Sequence, residues 1–273
     1  MPPLSTAELD VVTRARDAVM ASLDRLRPRL VGASGRVEVE AKPDGTPVTA
    51  IDHETDERLA QDLATAFPYH GVLSEERETR APATEWTWII DPIDGTSNFI
   101  AGLPYWCVSV ALAYGGVPVL GIVDAPALDR RYVAITGQGA TLDGRQLQVR
   151  APVDWRDGRY GYLPVMLTTG TARRARHAGL RLNPRVMGST ALDLAVVAEG
   201  VAVASVAVRP HVWDVAAGAV LVEAAGGQLV TVDGSPLLPL HAGEDHAKRT
   251  AATAAAGTHR YAHGLATALL DRP

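Results

Sequence analysis

The chain has 273 residues, 47% of them hydrophobic, which is enough to bury a sizeable core. Its 26 basic and 31 acidic residues are mixed along the sequence and give a formal net charge of -5, so neither a nucleic acid polymer nor a membrane is expected as a partner. The single cysteine, Cys107, excludes an internal disulfide, and no secretory signal or membrane span is recognisable. We therefore expect a cytoplasmic protein in which Cys107 is a buried small hydrophobe.

Two amphipathic helices are predicted in the first quarter of the chain. Ser5 can cap the first one and Glu8 can complete a capping box, while Pro28 is expected to help end it. The second lies in "VTAIDHETDERLAQDLATAF", with Asp52 at its start. Its apolar stripe has a four-residue spacing and consists of Ile51, Thr55, Leu59, Leu63 and Phe67.

The middle of the chain predicts strands and the last third alternates helix with strand. Strands are expected at residues 86–90, in two runs of "CVSVALAYGGVPVLGIVDAP" joined through residues 115–118, and in "RYVAITG" and "RQLQV". Residues 151–187 are poorly patterned and rich in arginine. The order then becomes helix, strand, helix, strand, from "GSTALDLAVVAEG" through "VASVAV" and "DVAAGAVLVEAAGG" to "QLVTV".

Interleaved helices and strands favour a layered mixed α/β fold. We expect one domain over residues 1–273, which could divide into the halves 1–150 and 151–273.

The segment "WIIDPIDGTSNF" places Asp91 and Asp94 three residues apart after a strand. A turn here would direct both carboxylates and the Ile93 carbonyl to one point, and such oxygen ligands suit Mg²⁺. Residues 95–97, Gly-Thr-Ser, would offer backbone amides to a phosphate. On spacing alone the segment could also be a plain turn, because Asp, Pro and Gly are the commonest turn residues.

Further acids occur in "LSEE", which contains Glu75 and Glu76, and in "HVWDVAAG", which contains Asp214. Taken singly, the two glutamates could form a solvated turn and Asp214 could be an ordinary helix cap.

Five segments in this order closely resemble the Mg²⁺-dependent inositol monophosphatase family of small-molecule phosphatases: "KPDGTPVTAID", "LSEE", "WIIDPIDGTSNF", "GSTALDLAVVAEG" and "WDVAAGAVLVEAAGG". The resemblance covers about residues 42–227, and it disfavours the plain-turn interpretation. It implies alternating helix and sheet layers, a homodimer, and hydrolysis of a small phosphorylated metabolite by direct attack of a metal-activated water.

By position, the resemblance implies two or three Mg²⁺ ions per site. The first would be bound by Glu75, Asp91 and the Ile93 carbonyl. The second would be bound by Asp91, Asp94 and Asp214, and a weaker third by Glu75 and Asp52. The residues expected to act on the attacking water are Glu75, Thr96 and Asp52.

The residues expected at the substrate are Asp94, Gly95, Thr96, Ser97, Thr190, Ala207 and Arg209. In relatives that hydrolyse inositol phosphates, a glutamate commonly stands at the position of Ala207. Because an alanine methyl cannot accept a hydrogen bond from a sugar hydroxyl, poor use of myo-inositol phosphate is predicted. Arg209 could meet a second phosphate or a carboxylate, or it could simply be exposed, and His211 could be a packed histidine.

The expected activity is hydrolysis of a small polyol, cyclitol, sugar or amino-alcohol phosphate, of the inositol-phosphate or histidinol-phosphate type. The segments "KPDGTPVTAID" and "GVPVLGIVDAPALDRRY" resemble the histidinol-phosphate phosphatases of the same family. Two alternatives stay open: a 3'(2')-phosphatase of nucleotide bisphosphates, and a catalytically silent metal-binding or scaffold protein.

Overall fold

A computed structural model describes residues 3–42, 45, 47–150, 163–177, 179–232 and 236–270. The first part of the poorly patterned segment 151–187 therefore lies outside the described residues. The helices are α1 (Thr6–Ala33), α2 (Ala50–Ala66), α3 (Thr96–Ala101), α4 (Thr169–His177), α5 (Thr190–Ala198), α6 (Val212–Ala224) and α7 (His259–Leu270). None of the helices in these ranges is long and apolar enough to cross a membrane.

The described strands form two larger sheets and one small hairpin. The hairpin pairs β1 (Glu40–Ala41) with β2 (Pro47–Val48). The first sheet follows chain order and consists of β3 (Gly71–Ser74), β4 (Trp86–Asp94), β5 (Cys107–Tyr114), β6 (Val117–Ala125), β7 (Arg130–Ile135), β8 (Gly139–Leu142) and β9 (Arg145–Gln146). The second sheet contains β10 (Pro164–Leu167), β11 (Asn183–Arg185), β12 (Ala204–Ala207), β13 (Gln228–Thr231) and β14 (Thr253–Ala256), in the order β11-β10-β12-β14-β13.

Helices cover both faces of both sheets. α1 and α2 pack on one face of the first sheet, α5 and α6 lie between the two sheets, and α4 and α7 cover the outer face of the second. The result is a five-layer arrangement of alternating helices and sheets. The predicted layered α/β fold is therefore confirmed.

The interior strand β5 shows why the first sheet accepts helices on both faces. Its larger residues Val108, Val110 and Leu112 pack toward α1 and α2, whereas its small residues pack toward α5 and α6. Gly121 of the neighbouring strand allows α6 to approach closely, since a Cβ at this position would lie 2.4 Å from the Ala217 carbonyl oxygen.

Both predicted N-terminal helices are present. The Ser5–Glu8 capping box closes the start of α1, and every residue of the predicted α2 stripe is buried. The prediction that Pro28 helps to end α1 is wrong, because the helix runs to Ala33. Leu30 and Ala33 extend its buried face beyond Pro28, so packing stabilises a turn that lacks one amide donor.

Two strand boundaries also differ from the prediction. β4 does not end at residue 90 but continues to Asp94, with a register shift opposite β5 between Asp91 and Asp94. Between β5 and β6 the connection is only Gly115–Gly116, since Val117 and Pro118 already belong to β6.

Candidate active site

Strand pairing places Glu75 beside the paired aspartates. β3 runs parallel to β4 with Ser74 opposite Ile90, and the Glu75 amide donates to the Ile90 carbonyl at 3.2 Å. Glu75 therefore leaves β3 at the level where Asp91 begins the irregular end of β4. A cavity of about 350 Å³ lies at this edge. The predicted site residues that line it are Glu75, Asp91, Ile93, Asp94, Gly95, Thr96, Ser97 and Asp214.

An irregular strand end brings Asp91 and Asp94 to one cavity. Three residues apart in a regular strand, their side chains would point to opposite faces. The register shift in β4 removes this alternation, and the Asp91 carboxylate accepts a hydrogen bond from the Ile93 amide at 3.0 Å. The segment is therefore an irregular strand end of the β-bulge type, and not the plain turn that the spacing alone left open.

Gly95 connects this bulge to α3. Its φ of +94° lies in the left-handed region, and a Cβ would lie 3.1 Å from the Tyr105 carbonyl oxygen. Thr96 begins α3 and donates through Oγ1 to the Ile93 carbonyl at 3.0 Å. Asp52 lies behind Thr96, with its Oδ1 3.5 Å from Thr96 Oγ1.

Asp94 is held by the start of α5. Its Oδ2 accepts hydrogen bonds from Ser189 Oγ at 2.7 Å and from the Ala191 amide at 2.6 Å. Burial raises the pKa of Asp94 to about 6, although these hydrogen bonds favour the charged form.

Asp91 and Asp214 are repelled by the other acids of the cavity. Burial raises the pKa of Asp91 well above its ordinary value, and the charges of Glu75 and Asp94 add to the effect. For Asp214 burial is again the main cause of a raised pKa, followed by Asp94 and Glu75. Asp214 is the third residue of α6 and accepts from the His211 amide at 2.8 Å, so it also caps this helix.

Lys42 places a positively charged side chain against Glu75. Its Nζ lies 2.6 Å from Glu75 Oε1 and also contacts Glu76. Burial raises the pKa of Glu75, and Lys42 partly opposes this shift. Burial also lowers the pKa of Lys42, but the two glutamates outweigh it and raise that pKa above its ordinary value.

The oxygen ligands of the cavity suit a hard divalent cation, although the side chains are not arranged around one. Within the described ranges, no three acidic, histidine or cysteine side chains are close enough together to hold a metal ion as they stand. The carboxylates instead accept bonds from Ile93, Ser189, Ala191, His211 and Lys42. Four mutually repelling carboxylates and a carbonyl around one cavity are nevertheless the oxygen ligands that Mg²⁺ selects.

Four predicted site residues do not line the cavity. Asp52 is 2% exposed and caps α2, accepting from the amide and hydroxyl of Thr49. Thr190 is the first residue of α5. Ala207 is buried at the end of β12, opposite Thr253 of β14, and Arg209 is exposed.

Several cavity residues were not predicted as site residues: Lys42, Pro47, Thr79, Gly188, His211, Trp213 and Ala247. Lys42 could have been found, because it stands in the "KPDG" segment that carries the family resemblance. Thr79 and Ala247 have no sequence signal, since tertiary pairing alone brings them together. Cys107 is fully buried as expected, and burial raises the pKa of its thiol well above the ordinary value.

Comparison with known proteins identifies relatives of this chain. The sequence model of the inositol monophosphatase family matches residues 7–270. Over 206 residues the chain is 36% identical to a histidinol-phosphatase of Mycobacterium tuberculosis, covering 72% of this chain and 79% of that protein. It is 31% identical over 249 residues to the Nus factor SuhB of Pseudomonas aeruginosa, covering 86% and 88% of the two chains. A solved Thermotoga maritima IMPase superposes with a TM-score of 0.81 at 26% identity, covering 95% of this chain and 97% of the other.

The layered fold, the acidic cavity and these relatives define the class of protein as a phosphatase. More specifically, the chain belongs to the inositol monophosphatase family. The resemblance predicted from the motifs is thus confirmed, and it extends over nearly the whole chain.

Proposed function

We propose that the protein is a Mg²⁺-dependent phosphomonoesterase acting on a small polyol, cyclitol, sugar or amino-alcohol phosphate, of the inositol-phosphate or histidinol-phosphate type. One observation carries the proposal: Glu75, Asp91, Asp94 and Asp214 meet at a single cavity that also contains residues 95–97. Membership of the inositol monophosphatase family supports the reaction class.

Divalent cations bound here would supply the positive charge that acidifies a water molecule and neutralises the leaving alcohol oxygen. We assign Glu75, Asp91 and the Ile93 carbonyl to one cation, and Asp91, Asp94 and Asp214 to a second. Because Asp52 lies behind Thr96 and outside the cavity, we assign it to the support of Thr96 and not to a third cation.

The protein groups would orient the attacking water and hold the phosphate. Thr96 Oγ1 donates to the Ile93 carbonyl, so its lone pairs remain available to accept a hydrogen bond from water. Glu75, whose pKa burial raises, would take the proton released by this water on its carboxylate. The backbone amides of residues 95–97 would donate to the phosphate oxygens that gain charge in the transition state.

The first experiment measures phosphate release with Mg²⁺ and with chelator. The substrates are histidinol phosphate, inositol 1-phosphate, fructose 1,6-bisphosphate, adenosine 3',5'-bisphosphate, 2'-AMP and p-nitrophenyl phosphate. One metal-dependent, strongly preferred substrate with a polyol or amino-alcohol portion would support the proposal. Preference for adenosine 3',5'-bisphosphate would instead favour a nucleotide bisphosphatase, for which the exposed Arg209 offers no support.

Two matched substitutions test the acidic cavity. Asp91→Asn should abolish Mg²⁺-dependent release, because it removes a ligand from both assigned cation sites. Asp124→Asn is the control: Asp124 is an equally buried acid of the same sheet, paired with Arg131 at 2.7 Å, and it does not line the cavity. Retained activity in Asp91→Asn would refute the assigned cation sites. Mg²⁺ binding without release from any substrate in the wild type would favour the silent or scaffold alternative.

The cavity also supports one functional domain over residues 1–273. The first half supplies the acids Glu75, Asp91 and Asp94, whereas the second half supplies the fourth acid, Asp214 of α6, together with Gly188 and Ala247. Neither half alone would form the site. A homodimer and a cytoplasmic location stay predictions, and light scattering on the purified protein tests the first.

A further inference from the structure

Glu75 lies in a compact turn whose two ends are fixed in different ways. The turn is closed at its base, where the Ser74 amide donates to the Glu78 carbonyl at 2.8 Å. Its N-terminal side belongs to the first sheet, because Ser74 pairs with Ile90 of β4 and the Glu75 amide donates to the Ile90 carbonyl at 3.2 Å. Its C-terminal side leads into residues 79–81, which belong to no strand of that sheet.

A segment of the second half, residues 243–249, reaches this C-terminal side, and we call it the strap. It is part of residues 232–252, which connect the antiparallel neighbours β13 and β14. Loops longer than about 15 residues are uncommon in compact domains and often carry a function. The strap lies at the rim of the acidic cavity and supplies Ala247 to its lining.

Backbone hydrogen bonds attach the strap to the chain that follows the turn. The Gly243 amide donates to the Ala81 carbonyl at 2.8 Å, and the Ala81 amide donates to the Glu244 carbonyl at 2.9 Å. The His246 amide donates to the Thr79 carbonyl at 2.8 Å. The second half of the chain thus anchors the segment into which the Glu75 turn leads.

Asp245 reinforces this attachment through its side chain. Its Oδ1 accepts hydrogen bonds from Thr79 Oγ1 at 3.1 Å and from the Ala247 amide at 3.2 Å. Both partners line the cavity. Its Oδ2 lies 3.1 Å from Lys248 Nζ and 3.8 Å from the Arg80 guanidinium. One carboxylate therefore joins two cavity residues from opposite halves of the chain.

The position of Glu75 matters because a cation binds tightly only where its ligands are held in place before it arrives. A turn that is anchored on its N-terminal side alone samples more conformations, and binding would then have to restrict them. The strap supplies the second anchor. Asp245 is the strap side chain that contacts Thr79, which stands four positions after Glu75.

We propose that Asp245 is a positioning residue for the cation site that contains Glu75: it ties the strap to Thr79 and so limits the motion of the Glu75 turn. The inference rests on the proposed function and deepens it, because the cation concerned is the one assigned there to Glu75, Asp91 and the Ile93 carbonyl. Asp245 does not itself line the cavity, so it acts through the turn and not on the cation.

The test compares Asp245→Ala with Asp245→Asn. Alanine removes both accepted hydrogen bonds, whereas the asparagine oxygen can accept them and only the charge is lost. Asp62→Ala is the matched control. Asp62 makes a similar link between α1 and α2, accepting from Ser22 Oγ at 2.6 Å and pairing with Arg25 at 2.7 Å, and it does not line the cavity. The two carboxylates are covered to a similar extent, with 18% and 23% of the side chain exposed.

The readout is the Kd for Mg²⁺, measured by isothermal titration calorimetry of the full chain at pH 8. Replacing a group that supports a metal ligand typically costs 10–100-fold in metal affinity, so Asp245→Ala should raise Kd about tenfold. Asp245→Asn should keep the wild-type Kd, because the exposed Lys248 contributes little through its ion pair. In a Glu75→Gln background, Asp245→Ala should have no further effect, since the ligand that it positions is already altered.

An unchanged Kd in Asp245→Ala would overturn the inference. An equal rise in Asp245→Asn or in Asp62→Ala would overturn it too, because the effect would then come from lost charge or from general destabilisation. So would a rise that persists in the Glu75→Gln background. If Asp245→Ala does not fold, Thr79→Val removes the hydroxyl donor of the same hydrogen bond and should raise Kd in the same direction.

Failure of the proposed function gives a different result. A wild type that binds Mg²⁺ but releases no phosphate from p-nitrophenyl phosphate would refute the phosphatase proposal and leave the comparison of Kd values intact. A wild type that binds no Mg²⁺ would refute both.

Discussion

Replacing Asp94 by asparagine should abolish activity and at the same time stabilise the metal-free protein. Asp94 Oδ2 accepts from Ser189 Oγ and from the Ala191 amide. An asparagine oxygen in the same place can accept both bonds, so the substitution removes the charge and preserves the local hydrogen bonding. It also removes a ligand that we assign to the second cation.

The magnitude follows from the pKa of Asp94, which burial raises from 3.8 to about 6. A shift of this size disfavours the ionised, metal-free form by at most about 3 kcal/mol at pH 8. In a chain of this length, each kcal/mol moves Tm by roughly 2–4 °C. Asp94→Asn should therefore melt above the wild type in chelator at pH 8, by up to roughly 6–12 °C.

The pH dependence has a definite sign. A carboxyl whose folded-state pKa is raised contributes stability below its unfolded pKa, and this contribution is lost as pH rises through the folded value of about 6. The difference between wild type and Asp94→Asn should therefore fall to about 1 kcal/mol at pH 4.5, roughly a third of its value at pH 8. Differential scanning calorimetry in chelator at pH 4.5, 6 and 8 measures it. A variant that melts at or below the wild type at pH 8, or with the same offset at every pH, would refute the reasoning.

Three further predictions concern the same cavity. Millimolar Mg²⁺ should raise the Tm of the wild type and chelator should lower it, because a cation relieves the repulsion among the carboxylates. At a Mg²⁺ concentration of 100 times Kd, the free energy of unfolding should increase by about 2.7 kcal/mol. An unchanged Tm contradicts the proposed metal site. Gly95→Ala should lower stability by about 1–3 kcal/mol and slow phosphate release, because φ is +94° and a Cβ would be crowded at 3.1 Å from the Tyr105 carbonyl oxygen. Gly137→Ala, with φ +81° but open space around the Cβ, is the control. Ser74→Ala should lower the free energy of unfolding, measured with urea, by about 1–3 kcal/mol, because Ser74 donates to the buried Asp56. It should also weaken Mg²⁺ binding by the adjacent Glu75. Full retention of Mg²⁺ affinity would show that Ser74 contributes to stability alone.

Local sequence patterns were sufficient for the features that depend on near neighbours along the chain. The Ser5–Glu8 capping box and the four-residue stripe of α2 are set by helix periodicity and by unsatisfied amides at a helix start. The acids near residue 91 and the glycine at 95 were also recognisable, because the oxygen ligands and the backbone freedom they provide are properties of the residues themselves. The family resemblance then indicated that these local features belong to one site.

Only the tertiary structure decided how the strand carrying Asp91 ends and which other residues form the cavity wall around the acids. The bulge in β4 depends on pairing with β5, and α1 continues past Pro28 because its next turns bury Leu30 and Ala33. Thr79 and Ala247 are 168 positions apart in the chain and meet through backbone hydrogen bonds between residues 79–81 and 243–246. Neither residue type signals a binding role, since a threonine or an alanine becomes part of a cavity wall only through the packing that places it there.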